Sequence, residues 1–337
     1  MSNKYAQQHE KKKSMKKMKH RTNLYIISLL FALLLVACEI PISMELPEKA
    51  GTTVIEGWIE NDKAATVAIS RSMSYYSNID INAIFSSVDA DATVIVTDDA
   101  GNSETLHLGT SFDHIFGMVG RVYVGKTLKG VPGRTYNLYV KTSNGEEYTA
   151  QTYIPENTVT IDSMRFLIND PEADTILPIR AYIKDNPDTY DCYRFFINIS
   201  NLKIDWSPFL AGFKYYFSPA SAGCFDDLTF NGQNIVLDLT RTPMSNLSFS
   251  DMSREERREY RRWYFKEGDT IYVRSALTDI HTYKYWFAMQ FDIEGGGFNP
   301  LVVPGYYKTN LVGKNVTGIW SGYHARYDTL TFPVAEF

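Results

Sequence analysis

Short runs that alternate hydrophobic and polar residues follow one another along most of the chain, separated by turn-forming residues. Thr93-Val94-Ile95-Val96 and Tyr136-Asn137-Leu138-Tyr139-Val140 are rich in the β-branched and aromatic residues that strands favour. Pro132-Gly133 and Ser143-Asn144-Gly145 are typical turn sequences. The pattern predicts strands at Thr53–Glu60, Ala65–Ser70, Ala92–Thr97, Glu104–Leu108, Arg121–Lys126, Thr135–Val140 and Glu147–Ile154. Closely spaced short strands indicate a sandwich, so residues 51–155 are predicted to form an immunoglobulin-like domain.

A second β-rich region is predicted to begin after Pro155-Glu156-Asn157 and to include residues 156–337. Ser253 and Glu256 make a capping box that predicts a charged helix, and Asp279 is a suitable cap for another, ending at about Asp292. Strands are predicted at Thr158–Ile168, Ile176–Lys184, Tyr190–Ser200, Gln233–Leu239 and Thr270–Leu277. The expected fold class is therefore mainly β, with two β-sandwich-like domains, the second carrying one or two short helices.

The first residues have the pattern of a secretory signal. A dense positive run precedes an apolar stretch from Leu24 to Ala37, which is shorter than the about 20 residues that span a bilayer. The stretch ends in Leu35-Val36-Ala37-Cys38, which resembles the bacterial lipobox, in which the cysteine is acylated and becomes the new N-terminus. We therefore predict a signal peptide over residues 1–37, a lipid anchor on Cys38 and a tether over residues 38–50.

The charge of the mature chain bears on its partners. Residues 1–37 hold eight of the 34 lysines and arginines and one of the 39 acidic residues, which leaves 26 basic against 38 acidic, a formal charge of −12. Nucleic-acid binding is not expected, since its affinity comes from basic side chains that neutralise phosphates. Cys192 and Cys224 are the other cysteines, and an oxidising compartment permits a disulfide between them, although the sequence does not show whether they lie close enough.

Catalytic and metal-binding patterns are weak. His107, His114, His281 and His324 lack the spacing of a metal site, and there is no nucleophile elbow or phosphate loop. Carboxylates are abundant, so a hydrolase with an unrecognised carboxylate pair stays open as an alternative. Alternating oxygen-bearing residues that could suggest a calcium loop, Asn78, Asp80, Asn82 and Asp89, have Ala83 at the glycine position, so a solvated loop is favoured. We expect no enzyme activity, no cofactor and no metal.

Aromatic and arginine residues cluster in the second region. They could stack on a glycan or peptide or form a protein interface, where tyrosine, tryptophan and arginine are enriched. The alternative is that the aromatic side chains fill the core and that the arginines lie on a solvated helix. The candidate binding residues are Tyr215, Tyr216, Arg258, Arg262, Trp263, Tyr285, Trp286, Tyr306 and Tyr307.

Several fragments, in order along the mature chain, resemble the Bacteroidota lipoproteins grouped as domain-of-unknown-function family 4249. They are the lipobox, Val54–Ile59, Ala68–Ser72, Ala92–Gly101, Gly133–Leu138, Tyr148–Ala150, Ile161–Ser163, Phe225-Asp226-Asp227 with Asn231-Gly232, Asn299-Pro300, and Thr309-Asn310 ahead of Gly318-Ile319-Trp320. The resemblance implies an outer-membrane lipoprotein, often encoded near a TonB-dependent transporter and without an established activity. It supplies no catalytic residues.

The leading hypothesis is a lipid-anchored accessory protein of the outer membrane, on its periplasmic or cell-surface face, which associates with a TonB-dependent transporter in nutrient uptake. The first alternative is a glycan- or peptide-binding lipoprotein, and the second is the hydrolase. An exposed aromatic platform would favour the ligand binder, whereas two facing carboxylates in a cleft would favour the hydrolase.

Substitution of Cys38 tests the lipid anchor. We expect Cys38→Ala to release the protein from the membrane fraction or to leave it unprocessed, because the acyl chains would have no attachment site. Fractionation and mass spectrometry of the N-terminus measure both outcomes. Normal processing together with extraction by detergent alone would contradict the prediction.

Overall fold

The part of the chain that the computed structural model describes begins after the predicted tether. It comprises residues 51–72, 86–111, 120–167, 178–199, 217–241, 253, 270–294 and 307–331, all of which belong to one unit, Lys49–Phe337. The predicted signal peptide, Cys38 and most of the tether lie outside the described residues. Within them, no helix combines the length and the hydrophobicity needed to cross a membrane.

Fifteen strands and one helix are present in these ranges, so the prediction of a mainly β protein is confirmed. The strands are β1 (Thr53–Glu60), β2 (Ala64–Arg71), β3 (Thr93–Asp98), β4 (Ser103–Thr105), β5 (His107–Ser111), β6 (Gly120–Lys129), β7 (Thr135–Lys141), β8 (Glu147–Tyr153), β9 (Thr160–Phe166), β10 (Ile179–Lys184), β11 (Cys192–Ile199), β12 (Ser218–Asp226), β13 (Asn234–Arg241), β14 (Thr270–Thr278) and β15 (Val316–Thr331), and the helix is α1 (Ile280–Glu294). The alternation of hydrophobic and polar residues is clearest in strands with one solvated face. In β8, for example, every second side chain is buried. The segment Glu104–Leu108, predicted as one strand, is instead divided between β4 and β5.

The strands form two sheets. The larger has the order β5-β6-β2-β1-β15-β14-β11-β12-β13-β10-β9, and the smaller has the order β4-β3-β7-β8. β15 lies between β1, with which it pairs in parallel, and β14, with which it pairs antiparallel. β15 therefore joins strands from both halves of the sequence into one sheet.

The predicted boundary near Pro155 needs correction for this reason. The two largest hydrophobic cores of the described residues are a first core, built mainly from strands before Pro155, and a second core, built from strands after it. However, the larger sheet is continuous across that point, and Leu311 and Trp320 from the C-terminal segment lie in the first core. The ranges 51–155 and 156–337 therefore share one sheet, and Leu311 and Trp320 of the second range complete the core of the first.

Trp320 is the main C-terminal contribution to the first core. It is fully buried, stands opposite Gly57 in the β1–β15 register, and donates from Nε1 to the Tyr136 carbonyl at 3.0 Å. Asn310 holds its backbone from both sides, since Nδ2 donates to the Trp320 carbonyl at 2.7 Å and Oδ1 accepts from the Trp320 amide at 3.0 Å. A Cβ on Gly57 would lie 2.8 Å from the indole ring, so glycine makes room for the tryptophan.

Helix α1 follows β14 and begins where it was predicted. Asp279 caps it, because its Oδ1 accepts from the amides of His281 at 2.8 Å and Thr282 at 2.9 Å. The buried face consists of Thr282, Tyr283, Tyr285 and Trp286. Phe287, four residues after Tyr283, is 46 % exposed. The other predicted helix lies outside the described residues, apart from Ser253.

Gly318 offers a test of the β1–β15 junction. Its φ of +113° suits glycine, and a Cβ there would lie 2.0 Å from the Ile55 carbonyl oxygen. We expect Gly318→Ala to lower the free energy of unfolding by at least about 3 kcal/mol, because the energetic costs of a strained φ and of a backbone clash add to each other. Gly145→Ala is the matched control, because Gly145 also has a positive φ, +86°, but a Cβ there meets nothing within 4 Å. Urea unfolding that gave equal losses for the two variants would contradict this role of the junction.

Candidate functional site

The face of the larger sheet opposite the two cores carries a small pocket beside the junction of β1, β15 and β14. Its volume is about 50 Å³. We call it the Arg274 pocket, and its lining residues are Trp58, Glu60, Lys63, Phe196, Phe217, Arg274, Tyr323 and Tyr327. Residues from both halves of the sequence therefore form one site.

Strand alternation explains why charged side chains face this pocket. In β14 the neighbours of Arg274 along the chain are Val273 and Ser275, and Val273 points into the second core. Arg274 therefore points to the other face. Glu60 ends β1 and pairs with Tyr323 of β15, while Arg274 pairs with Tyr327 of the same strand. β15 thus places two tyrosines between a glutamate and an arginine from strands that it separates.

Glu60 is the centre of a buried charge network. Arg274 donates to its Oε2 from Nη2 at 2.6 Å and from Nε at 2.9 Å. Tyr327 donates its hydroxyl to Oε1 at 2.6 Å, and Lys63 Nζ lies 3.0 Å from the same oxygen. The Glu60 and Arg274 side chains are almost entirely buried, whereas Lys63 is 46 % exposed at the pocket mouth.

The network keeps these groups charged. Burial by itself would raise the pKa of Glu60, but Arg274, Lys63 and the Tyr327 hydroxyl outweigh it and hold the pKa below its ordinary value. Burial opposes the charge of Lys63 as well, yet Glu60 raises the pKa of that ammonium. The pKa of Arg274 is raised by Glu60 against the same effect of burial. The pocket therefore keeps its positive side chains at neutral pH.

A second buried arginine lies behind the pocket wall. The guanidinium groups of Arg194 and Arg274 both contact the Phe196 ring, at 4.7 Å and 4.5 Å from its centroid. Arg194 is 2 % exposed, lies 4.5 Å from the Trp286 ring and donates from Nη1 to the Tyr323 hydroxyl at 3.0 Å. Its Nε has no hydrogen-bond partner, and no carboxylate pairs with it within the described ranges.

The pocket and its wall thus hold an excess of positive charge. In the part of the chain that the structure describes, Lys63 and Arg274 pair with one lining carboxylate, Glu60, and Arg194 lies behind Phe196 without a carboxylate partner. Aromatic rings contribute cation–π stabilisation but no negative charge. A pocket of about 50 Å³ is far smaller than the about 300–1,000 Å³ of ordinary small-molecule sites. The arrangement suits a single anionic group, such as a carboxylate, carried by a larger ligand.

A second, negatively charged site lies at the ends of β10, β11 and β12. Asp185, Asp191 and Asp227 are all buried, and each offers a carboxylate oxygen within 4.8 Å of the others. Oxygen ligands of this kind suit hard cations. This acidic cluster is the only group of at least three histidine, cysteine or acidic side chains in the described ranges that has metal-site geometry.

The candidate binding residues predicted from the sequence do not meet in one site. Tyr215, Tyr216, Arg258, Arg262, Trp263 and Tyr306 lie outside the described residues. Tyr285 and Trp286 lie on the buried face of α1 and are 2 % and 4 % exposed, so the prediction that they are exposed ligand contacts is wrong. Tyr307 is partly buried, with its ring centroid 5.9 Å from that of Tyr285. The alternative that aromatic side chains fill the core holds for these three, because α1 covers the sheet there.

The disulfide between Cys192 and Cys224 is not formed, since both are buried free thiols. Cys192 pairs with Asp226, and Cys224 with Arg194, so the two cysteines are diagonal neighbours on adjacent antiparallel strands. Such positions are about 7–8 Å apart, beyond the usual Cα separation of a disulfide. Burial raises the pKa of Cys192 to about 12, so its thiol stays protonated.

The calcium-like run falls mostly outside the described residues, which include only Asp89. Its Oδ2 accepts from the amide of Ser143 at 2.9 Å and from the Ser143 hydroxyl at 3.1 Å. Asp89 therefore anchors one loop to another.

Sequence reasoning missed Lys63, Glu60, Arg194 and Arg274. A signal was present, because Arg194 and Arg274 are the charged residues of two strands that are mostly hydrophobic. A charged residue at such a position needs a partner across the sheet. The partner of Arg274 is 214 residues away in the sequence, and nothing local identifies it.

No curated protein matches the sequence. The profile of the family described as "Domain of unknown function (DUF4249)" matches residues 39–328 of the 337-residue chain. This match confirms the resemblance inferred from the motifs, whereas the Bacteroidota origin and the lipid anchor stay predictions. Because the match extends over most of the sequence, the chain belongs to the family of domain of unknown function DUF4249.

Proposed function

We propose that the chain is a lipid-anchored binding protein of the outer membrane, which holds the acidic end group of a glycan or peptide in the Arg274 pocket. The observation that carries this proposal is the excess of positive charge around a small aromatic pocket. Lys63 and Arg274 line the pocket with one carboxylate, Glu60, and Arg194 adds a third positive charge behind Phe196, within the described residues. Burial strengthens the attraction of these groups for an anion, because water screens them little.

The chemistry of the lining favours a ligand group that is both charged and flat. Arg274 donates to Glu60 from both Nε and Nη2, which constrains its remaining donors. The Lys63 side chain is about half exposed at the pocket mouth. Trp58, Phe217 and Tyr327 supply apolar surface next to these charges. A carboxylate could accept from Lys63 while the attached sugar ring or side chain rests on the aromatic rings.

Association with a TonB-dependent transporter is proposed as the partner interaction. It rests on the predicted lipid anchor and on what the family resemblance implies. The ligand held in the pocket would be the molecule passed to the transporter. The hydrolase alternative has less support, because Glu60 is the one carboxylate that lines the pocket and it is already held by Arg274 and Lys63.

Ligand binding can be tested with matched probes. We expect uronic-acid oligosaccharides, or peptides with a free C-terminal carboxylate, to bind the purified lipoprotein in detergent, and their carboxamide counterparts to bind at least about tenfold more weakly. Lys63→Gln should weaken binding by about tenfold, because a charge-assisted hydrogen bond contributes roughly 1.5–3 kcal/mol. Isothermal titration calorimetry measures both effects.

Lys129→Gln is the matched control, since Lys129 is an exposed lysine of the same sheet that does not line the pocket. It should leave the affinity unchanged. Equal binding of acids and amides, or equal losses in the two lysine variants, would contradict the pocket as the binding site.

The transporter interaction is tested by crosslinking in native membranes followed by pull-down and mass spectrometry. We expect a TonB-dependent transporter to be recovered, and charge reversal at Arg258 and Arg262 to reduce its yield several-fold, since arginines are common interface anchors. Charge reversal at Arg121, which is exposed on β6, serves as the control. If no transporter is recovered from wild-type membranes, the accessory role fails and free ligand binding remains.

A further inference from the structure

Three connections meet at the acidic cluster. Asp185 directly follows β10, Asp191 directly precedes β11, and Asp227 directly follows β12. The short loop of residues 185–191 and the turn that begins at Asp227 therefore lie side by side at the end of the sheet. The exposures of the three aspartates are 2 %, 6 % and 0 %, and their carboxylate oxygens lie within 4.8 Å of one another.

The hydrogen bonds around the cluster come from neutral groups and do not neutralise its negative charge. Asp185 accepts from the Tyr193 hydroxyl at Oδ1 and from the Gly232 amide at Oδ2, the latter at 2.6 Å. Asp227 accepts from the Asp191 amide at Oδ2, at 2.9 Å. No lysine, arginine or histidine of the described ranges forms an ion pair with any of the three.

One oxygen in the cluster points to a missing ligand. Oδ1 of Asp227 is buried and has no hydrogen-bond partner. A buried carboxylate oxygen that accepts no hydrogen bond is costly, since it has lost its hydration without replacement. Tyrosine and backbone amides satisfy other oxygens in the cluster, so this one stands out as an open coordination position.

The electrostatic environment agrees with this geometry. Burial raises the pKa of Asp191 to about 6, and the neighbouring charges of Asp185 and Asp227 add to the effect. Burial and the same kind of repulsion raise the pKa of Asp227. Like charges confined this closely need either protons or a cation to neutralise them.

We propose that Asp185, Asp191 and Asp227 bind a divalent cation, with Ca²⁺ as the best match. The donors are all oxygens, as hard cations require. Calcium accepts irregular arrangements of carboxylate and carbonyl oxygens, whereas Mg²⁺ demands near-octahedral geometry and keeps several waters. A buried cluster formed by two loops suits the first better than the second. The site is structural in this proposal: the ion ties the loop of residues 185–191 to the turn after β12.

Gly232 shows how closely the two segments are already fitted. Its φ is +75°, and a Cβ there would lie 2.9 Å from the Pro187 side chain. Because glycine has no Cβ, the backbone at position 232 can come close enough to the loop of residues 185–191 for its amide to donate to Asp185. The motif fragments Phe225-Asp226-Asp227 and Asn231-Gly232 thus contribute one aspartate and one glycine to the same cluster.

The proposal is independent of ligand binding at the Arg274 pocket and is tested on the whole mature protein, first freed of metal with a chelator. We expect Ca²⁺ to bind with a 1:1 stoichiometry and a dissociation constant below about 1 mM, the range of extracellular calcium modules. Ca²⁺ should raise the Tm by several degrees, because it binds the folded state alone. Mg²⁺ at the same concentration should raise it less. Calorimetry and differential scanning fluorimetry measure these effects.

Asp227→Asn is the decisive variant, with Asp188→Asn as the control. Asp188 lies in the same loop with an exposed side chain, so the control removes the same charge outside the cluster. We expect Asp227→Asn to weaken Ca²⁺ binding at least tenfold and to abolish the rise in Tm. In chelator, Asp227→Asn should be at least as stable as wild type, because it relieves repulsion. A purely structural aspartate would instead destabilise the fold equally with and without Ca²⁺.

Terbium luminescence on the wild-type protein adds a readout that needs no variant. Tb³⁺ replaces Ca²⁺ at oxygen sites, and Tyr193, whose hydroxyl donates to Asp185, is placed to sensitise its emission. We expect emission on excitation of tyrosine that Ca²⁺ displaces. Absence of both calcium binding and terbium emission at millimolar concentrations would overturn the proposal, as would equal losses of binding in Asp188→Asn and Asp227→Asn.

Discussion

The parallel pairing of β15 with β1 is the constraint on which the rest of the structure depends. β1 and β15 are separated by about 250 residues in the sequence, yet they pair over eight consecutive positions. Because β15 also pairs with β14, a single strand connects the two cores. The pairing requires small residues at close approaches, which is why Gly57 faces Trp320 and Gly318 faces Ile55. The motif fragments Val54–Ile59 and Gly318-Ile319-Trp320 are therefore two sides of one contact.

The same pairing creates the charged face of the sheet. With β15 between them, Glu60 of β1 and Arg274 of β14 lie close enough for two hydrogen bonds. An ion pair buried this deeply contributes little net stability relative to apolar side chains, but removing one partner leaves a buried charge that costs about 3–5 kcal/mol. A shift in the register of β1, β15 or β14 would therefore leave these charges buried without a partner. The pair also fixes positive charge beside a pocket, and Arg194 increases it from behind Phe196.

The two candidate sites have opposite charge and different burial. The Arg274 pocket is open at Lys63 and holds more cations than anions, so it suits a ligand that arrives from solution. The acidic cluster has three aspartates that are all at most 6 % exposed, and it suits an ion that remains bound. Their locations agree with these roles: the pocket lies beside the junction of the two halves, and the cluster joins two loops at a strand end.

Local patterns by themselves determined the class of fold and most strand positions. β1 was predicted with its observed bounds, β7 and β8 within one residue, and the cap of α1 at Asp279, because each depends on neighbouring residues alone. Tertiary structure alone decided that strands from both halves share the larger sheet, that Tyr285 and Trp286 are buried, and that Glu60 meets Arg274. β15 was not predicted, since its glycines and tyrosines obscure the strand pattern until β1 and β14 supply partners on both sides. Neighbouring residues do not indicate which partner a charged side chain has more than 200 positions away. The sequence therefore showed the charged side chains, and only the fold showed which of them meet.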